Sequence, residues 1–223
     1  MDIEKNIFKK VFYCNKKYHL FNEKEKIIIA LSGGKDSLTL LKIMSKIHHP
    51  SLLLPVHIYP YKDKKILDNI QSFSTGLAIK EPVIFIENSL YKLHPEDCYK
   101  CARGRRKALL ETAEKHRIKK IALGHNKNDV SETFLMNIIY SGNIDTIKPY
   151  QDFFDGMFQF IRPLFFVEEK EIIRYYRIYN IIPEDYKCEG KSLNKREIVR
   201  NFLKNDSKII HRTFIASLKA NNI

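Results

Sequence analysis

Six consecutive residues, Ser32-Gly33-Gly34-Lys35-Asp36-Ser37, carry the groups that hold a polyphosphate. They follow an apolar run, Ile27-Ile28-Ile29-Ala30-Leu31, and precede a helical pattern, Leu38 to Met44. A strand, a glycine turn and a helix start aim free backbone N–H groups and the positive end of a helix dipole at one spot. Two glycines let the backbone approach phosphate oxygens closely. The Gly33 and Gly34 amides, with Ser32 and Ser37, would hold a leaving pyrophosphate, and Lys35 would offset its charge or face solvent. Asp36 would organise the loop or help to hold magnesium. The run is neither G-x-x-x-x-G-K-[ST] nor G-x-G-x-x-G. The alternative is a plain glycine turn between strand and helix.

The cysteines are the second chemical set: Cys14, Cys98, Cys101 and Cys188. Cys98-Tyr99-Lys100-Cys101 is a C-x-x-C, which serves zinc, iron–sulfur or thiol redox chemistry. It follows a third strand, whereas a redox pair opens the helix after a first strand. A closed zinc site wants four ligands. Cys188 can supply a third; a fourth is not evident, although His94 is near in sequence. Three thiolates suit a [4Fe–4S] cluster with one open iron. The plainer alternative is an incidental pair and a lone surface thiol. Cys14 falls in an aromatic run and reads as a small buried hydrophobe.

These residues need a scaffold. Aromatics and lysines mix up to Glu25, with Phe8, Val11 and Phe12 at helical spacing. Further strands are expected at 52–58, 82–86, 120–124 and 158–164, with Pro55 an irregularity in the first of these. Helices are expected at 63–79, 99–117, 128–140, 168–180 and 195–205. Alternating strands and helices predict an α/β fold, a Rossmann-like parallel sheet with helices on both faces. Ligands in such sheets lie beyond the carboxyl ends of the strands, where strand order reverses. The glycine loop and Gly124-His125 would face that crevice. His57, on the second strand, joins Gly124 and His125 as a candidate nucleotide contact. Asp129, just past the fourth strand, would ligate metal or contact the reacting group; the alternative is a helix cap. The expected divisions are a helical segment at 1–25, a nucleotide domain at 26–182 and a basic tail at 183–223 carrying Cys188.

The chain has 223 residues and a net charge of +13, from 39 basic and 26 acidic residues. Such an excess suits a polyanionic partner, since Lys and Arg replace counterions along a phosphate backbone. A lysine-rich composition bias is the alternative. No apolar run has the length of a membrane span, and the first residues are charged, so a reducing cytoplasm is expected.

Taken together, the motifs are more specific than any one of them. Ser-Gly-Gly-x-Asp-Ser resembles the signature of the PP-loop ATP pyrophosphatases, which cleave ATP between the α- and β-phosphates. The order of that loop, Cys98-x-x-Cys101, Ile121-Ala122-Leu123-Gly124-His125-x-x-x-Asp129, Ile161-Arg162-Pro163-Leu164 and Cys188 resembles the tRNA 2-thiocytidine synthetase family (TtcA) over about residues 27 to 203. The resemblance implies ATP and magnesium at the loop and a [4Fe–4S] cluster on Cys98, Cys101 and Cys188. It also implies tRNA as substrate, free sulfide or a cysteine desulfurase as sulfur donor, and a homodimer. Arg105 resembles a basic residue that related thiolases use near the reacting site. The chain departs from the pattern at Asn128, where the family has aspartate, and in having Cys188 without a C-x-x-C partner. Those departures bear on the nucleoside, so a 2-thiouridine synthase is an alternative. A lysidine synthetase-like ligase with a zinc site and a non-catalytic RNA-binding module are the others.

Overall fold

The computed structural model describes residues 2–95, 97–184, 186, 193–204 and 206–223. Helix α1 (Ile3–Tyr18) starts on the Asp2 side chain, which accepts from the Glu4 amide, and buries Ile3, Ile7, Val11 and Cys14 at helical spacing. Six strands follow: β1 (Ile27–Leu31), β2 (Leu53–Tyr59), β3 (Ile84–Glu87), β4 (Lys120–Ala122), β5 (Tyr150–Phe153) and β6 (Phe158–Ile161). They form one sheet in the order β3-β2-β1-β4-β6-β5. All neighbours are parallel except β5, which runs antiparallel to β6. The sequence did not announce β5, because Tyr150-Gln151-Asp152-Phe153 on the sheet edge has no buried face.

The connections are α2 (Lys35–Ile47), α3 (Lys64–Thr75), α4 (Ser89–Leu93), α5 (Cys98–His116), α6 (Lys127–Ser141), α7 (Glu169–Ile178), α8 (Leu193–Lys204) and α9 (Ser207–Ala220). Alternation along β1 sorts the core onto two faces. Ile27, Ile29 and Leu31 pack with α1, α2, α3, α7 and Phe214 of α9, while Ile28 packs with Leu109 and Ala113 of α5. Pro55 lies opposite Ile29 of β1, but the β3 ladder begins only at Val56, so its missing N–H does not interrupt that pairing. Strand order reverses between β1 and β4, which opens a crevice beyond their carboxyl ends.

Candidate active site

The loop after β1 is built by its own serines. The Ser37 hydroxyl donates to the Gly34 carbonyl at 3.0 Å, accepts from the Ser32 amide at 3.1 Å and lies 3.1 Å from the Ser32 hydroxyl. The Gly34 amide donates to Ser32 Oγ at 3.3 Å. Gly33 sits at φ +92°, where side chains are strained. Gly34 caps α2 without a side-chain bond, so the first amides of that helix stay available to an anion. Gly124, past β4, packs on the turn itself; a Cβ there would lie 3.1 Å from the Ser37 nitrogen. Thus the two loops meet at the strand switch.

Charges cross-link this meeting. Lys35 Nζ lies 2.9 Å from Asp36 Oδ2 and 2.9 Å from Glu169 Oε1, so it does not simply face solvent. Burial opposes its charge, but the two carboxylates outweigh burial and hold the ammonium above its ordinary range. Asp36 Oδ1 accepts from Asn126 Nδ2 at 3.0 Å. Burial pushes the Asp36 carboxyl up, and Lys35 opposes this. Asn126 is also the N-cap of α6, and its amide donates to Asp129 Oδ2 at 3.0 Å in a capping box. Asp129 Oδ1 pairs with Arg196 at 2.9 Å. Burial raises the Asp129 carboxyl to about 6, against the Asn126 amide and Arg196.

His125 Nδ1 accepts from Arg162 Nε at 3.4 Å, which leaves its proton on Nε2. Burial lowers it to about 3, and Arg162, Arg196 and Arg105 add to the effect. The Arg105 charge therefore reaches this site although its side chain is exposed. His57 Nδ1–H donates to the Leu31 carbonyl at 2.9 Å, and its Nε2 accepts from the Tyr186 hydroxyl at 3.0 Å. Burial keeps His57 below the usual imidazole range, the Leu31 carbonyl opposing. The Glu184 amide donates to the Gly33 carbonyl at 3.1 Å. Glu184 and Tyr186 thus lie across the loop.

Cys98 and Cys101 occupy the first turn of α5, one turn apart and hence on one face. Asp97 caps that turn through the amides of Tyr99 and Lys100. Asn88 Nδ2 donates to the Cys101 carbonyl at 2.9 Å and reaches its Sγ at 3.5 Å. A line of rings joins this helix start to the nucleotide loop: Tyr91 to Tyr61 at 6.3 Å, Tyr61 to Tyr186 at 5.1 Å, Tyr186 to His57 at 5.7 Å. Among the described residues no third His, Cys, Asp or Glu joins the pair; Cys188 lies outside them. His94 ends α4 with its backbone amide on Leu90 and Tyr91. Cys14 is buried, points its thiol at the Arg162 carbonyl and is pushed up to about 12 by burial, as a packing residue should be.

The structure thus gathers Ser32 to Ser37, Gly124, His125 and Asp129 at one crevice, with His57 and Arg105 beside it. Sequence reasoning missed Asn126, Glu169 and Tyr186; Arg196, read from the sequence as one of the tail's basic residues for a tRNA backbone, pairs with Asp129 instead. Also missed was Glu132, whose buried carboxylate takes Arg196 at 3.2 Å and Arg200 at 3.0 Å. Only the run Gly124-His125-Asn126 carried a local signal for one of them.

The chain is similar to known proteins in sequence and in fold. Residues 4–207 match the PP-loop domain family. The tRNA-cytidine(32) 2-sulfurtransferase of Methylococcus capsulatus is 32% identical over 204 residues, 86% of this chain and 70% of that protein. The tRNA-cytidine(32) 2-sulfurtransferase 1 of Francisella tularensis is 30% identical over 220 residues, 90% and 79% of the two chains. In fold, the U34-tRNA thiolase of Methanococcus maripaludis, solved with its [4Fe-4S] cluster, superposes with TM-score 0.77 at 19% identity, over 99% of this chain and 80% of that one. The NH3-dependent NAD synthetase of Campylobacter jejuni superposes at 0.56 with 14% identity, over 98% and 94%. The chain belongs to the PP-loop family and, within it, to the tRNA-cytidine(32) 2-sulfurtransferases.

Proposed function

We propose that this protein uses ATP to replace the C2 oxygen of a tRNA cytidine, position 32 by kinship, with sulfur. The single observation that carries the reading is the crevice, where a phosphate-shaped loop meets Asp36, Asn126 and Asp129 at the strand switch. The C2 oxygen is a poor leaving group. It attacks the α-phosphorus; the new O–P bond forms as the bond to pyrophosphate breaks. A sulfur nucleophile then adds at C2, and AMP leaves with the original oxygen. The loop amides, Ser32 and Ser37 would hold the pyrophosphate, and Lys35 would leave Glu169 to meet its charge. Asp36 and Asp129 would help to hold magnesium, each giving up the cation that pairs with it, Lys35 and Arg196. Arg105 and Arg162 would stabilise negative charge near His125.

Cys98 and Cys101, on one helix face with Asn88 behind them, suit two ligands of a [4Fe–4S] cluster, with Cys188 as the third. Such a cluster would supply sulfide at an open iron. The sulfur donor would be free sulfide or a cysteine desulfurase, and the working form a homodimer. The expected units are the helical segment 1–25, the nucleotide domain 26–182 and the tail 183–223. Among the described residues no helix is long and apolar enough to cross a membrane; the cytoplasm is the proposed compartment.

Mass spectrometry of tRNA nucleosides from a deletion strain tests the reaction. 2-Thiocytidine should vanish, return with the wild-type gene and stay absent with Cys98→Ser, while Cys98→Ser protein still binds ATP. Loss of 2-thiouridine instead would move the substrate. Loss of lysidine, or no change, would end the thiolase reading.

A further inference from the structure

Between α1 and α9 runs a groove of about 440 Å³, floored by Phe166 and Phe214. Lys9, Tyr13 and Lys17 line its α1 wall, with Lys127 also at its surface; among the described residues no carboxylate lines it. The aromatic rings form a continuous surface: Tyr13 meets Phe166 edge-on at 5.1 Å, and Phe166 meets Phe214 at 5.7 Å. Tyr13 is 56% exposed, and with Phe166 and Phe214 it makes an apolar patch open to a partner rather than a single exposed ring. Lys127 Nζ lies 5.5 Å over the Phe214 ring and is bonded to Glu168, so its position is fixed. Lys127 is the first residue of α6, next to the Asn126 that holds Asp36. The start of α6 thus serves both places, Asn126 toward Asp36 and the Lys127 side chain toward the groove.

An aromatic floor with a lysine rim fits a flat, apolar ring joined to an anion. A nucleotide has that chemistry when its base is unpaired: the ring stacks and the phosphate meets ammonium groups. Glu171 and Glu168 already pair with Lys10 and Lys127, but a partner helix without carboxylates, although suited to the floor, would leave Lys9 and Lys17 without counter-charges. We propose that the groove holds an unpaired nucleotide of the tRNA substrate, its base on Tyr13 and Phe166 and its phosphate between Lys9 and Lys17, beside the base being modified. The proposal rests on the tRNA reading above and adds the place where a neighbouring nucleotide docks.

The chain has no tryptophan, so Tyr13→Trp would introduce a sole indole reporter. Its fluorescence should be quenched by an anticodon stem-loop RNA with an open loop, and not by a fully paired RNA of the same length. Tyr13→Ala should weaken tRNA binding roughly tenfold at low and high salt alike, with ATP affinity unchanged. Lys9→Ala and Lys17→Ala should each lower the salt slope of binding by about one. An unquenched indole signal from the Tyr13→Trp protein, or Tyr13→Ala protein that binds tRNA as wild type does, overturns the proposal. If tRNA is thiolated without quenching, the groove assignment alone fails. If stem-loop RNA quenches but no 2-thiocytidine forms, the groove stands and the reaction reading fails.

Discussion

The nucleotide end and the cysteine end of the molecule are built differently. At the first, each group is fixed by another: Ser37 by Ser32 and Gly34, Asp36 by Lys35 and Asn126, Asp129 by Asn126 and Arg196. At the second, Cys98 and Cys101 are partly exposed at a helix start beside Leu93 and Tyr99, each 69% exposed, and Asn88 is the main brace. A site that must align a phosphoryl transfer gains from groups set before the substrate arrives. A site that binds a metal group takes much of its order from that group. The contrast predicts that damage at the two ends will separate in experiment.

The largest effect should come from Gly33→Val. A Cβ there would lie 2.7 Å from the Glu184 carbonyl oxygen, on a backbone at φ +92°. Strain of about 1–3 kcal/mol should accompany complete loss of ATP binding, read by calorimetry. Gly34→Ala, at φ −74°, should fold normally, so a milder Gly33 than Gly34 variant would break the account of the loop.

Gly104→Ala probes the other end. Its Cβ would overlap Asn88 Oδ1, forcing Asn88 away from Cys101. Helix propensity favours Ala by about 1 kcal/mol, which the displaced buried Asn88 should exceed. Iron and sulfide retained after anaerobic reconstitution should drop, while ATP affinity holds within about twofold. Equal loss at both ends would erase the contrast.

A subtler effect should appear with acid. His125 is lowered to about 3 from 6.5, so between those values the unfolded chain binds a proton that the native chain does not. Its stabilising share is full above pH 6.5 and is lost as pH falls toward 3. Asp129, raised to about 6 from 3.8, has the opposite sign: its cost is full above pH 6 and fades below. The stability gap between wild type and His125→Asn, from urea melts, should therefore be wider at about pH 7 than at about pH 5. A gap that widens on acidification would refute the neutral, half-buried imidazole.

The smallest effect should be that of Cys14→Ser. The buried thiol makes only a 3.8 Å contact with the Arg162 carbonyl. A cost of about 1 kcal/mol, with cluster content and ATP binding unchanged, is expected. Loss of iron in this variant would move the cysteine assignment.

What the sequence discloses follows from how local each feature is. Ser32 to Ser37 are legible because the strand, the turn chemistry and the helix start that they need are adjacent in the chain. β1, β2 and β4 are legible because buried parallel strands carry near-continuous apolar runs, broken here only by residues such as His57 and Lys120. The ion pair of Lys35 with Glu169, and those of Glu132 with Arg196 and Arg200, are not legible. Surface-type residues become site residues there only when separate elements pack. Tyr186 is similar: nothing near it in the chain points to His57. The polarity of β5 hides it for the reason that makes it an edge.

The His57–Tyr186 contact joins residues 129 positions apart. Closing so long a loop is entropically costly, so the contact belongs late in folding, after β1, β2 and their helices have formed. On a ribosome, the glycine loop leaves the exit tunnel long before Glu184 and Tyr186 do. During that interval the nascent chain exposes a phosphate-ready turn without its cover. The nucleotide site, the earliest motif in the chain, is thus among the last parts of the molecule to be completed.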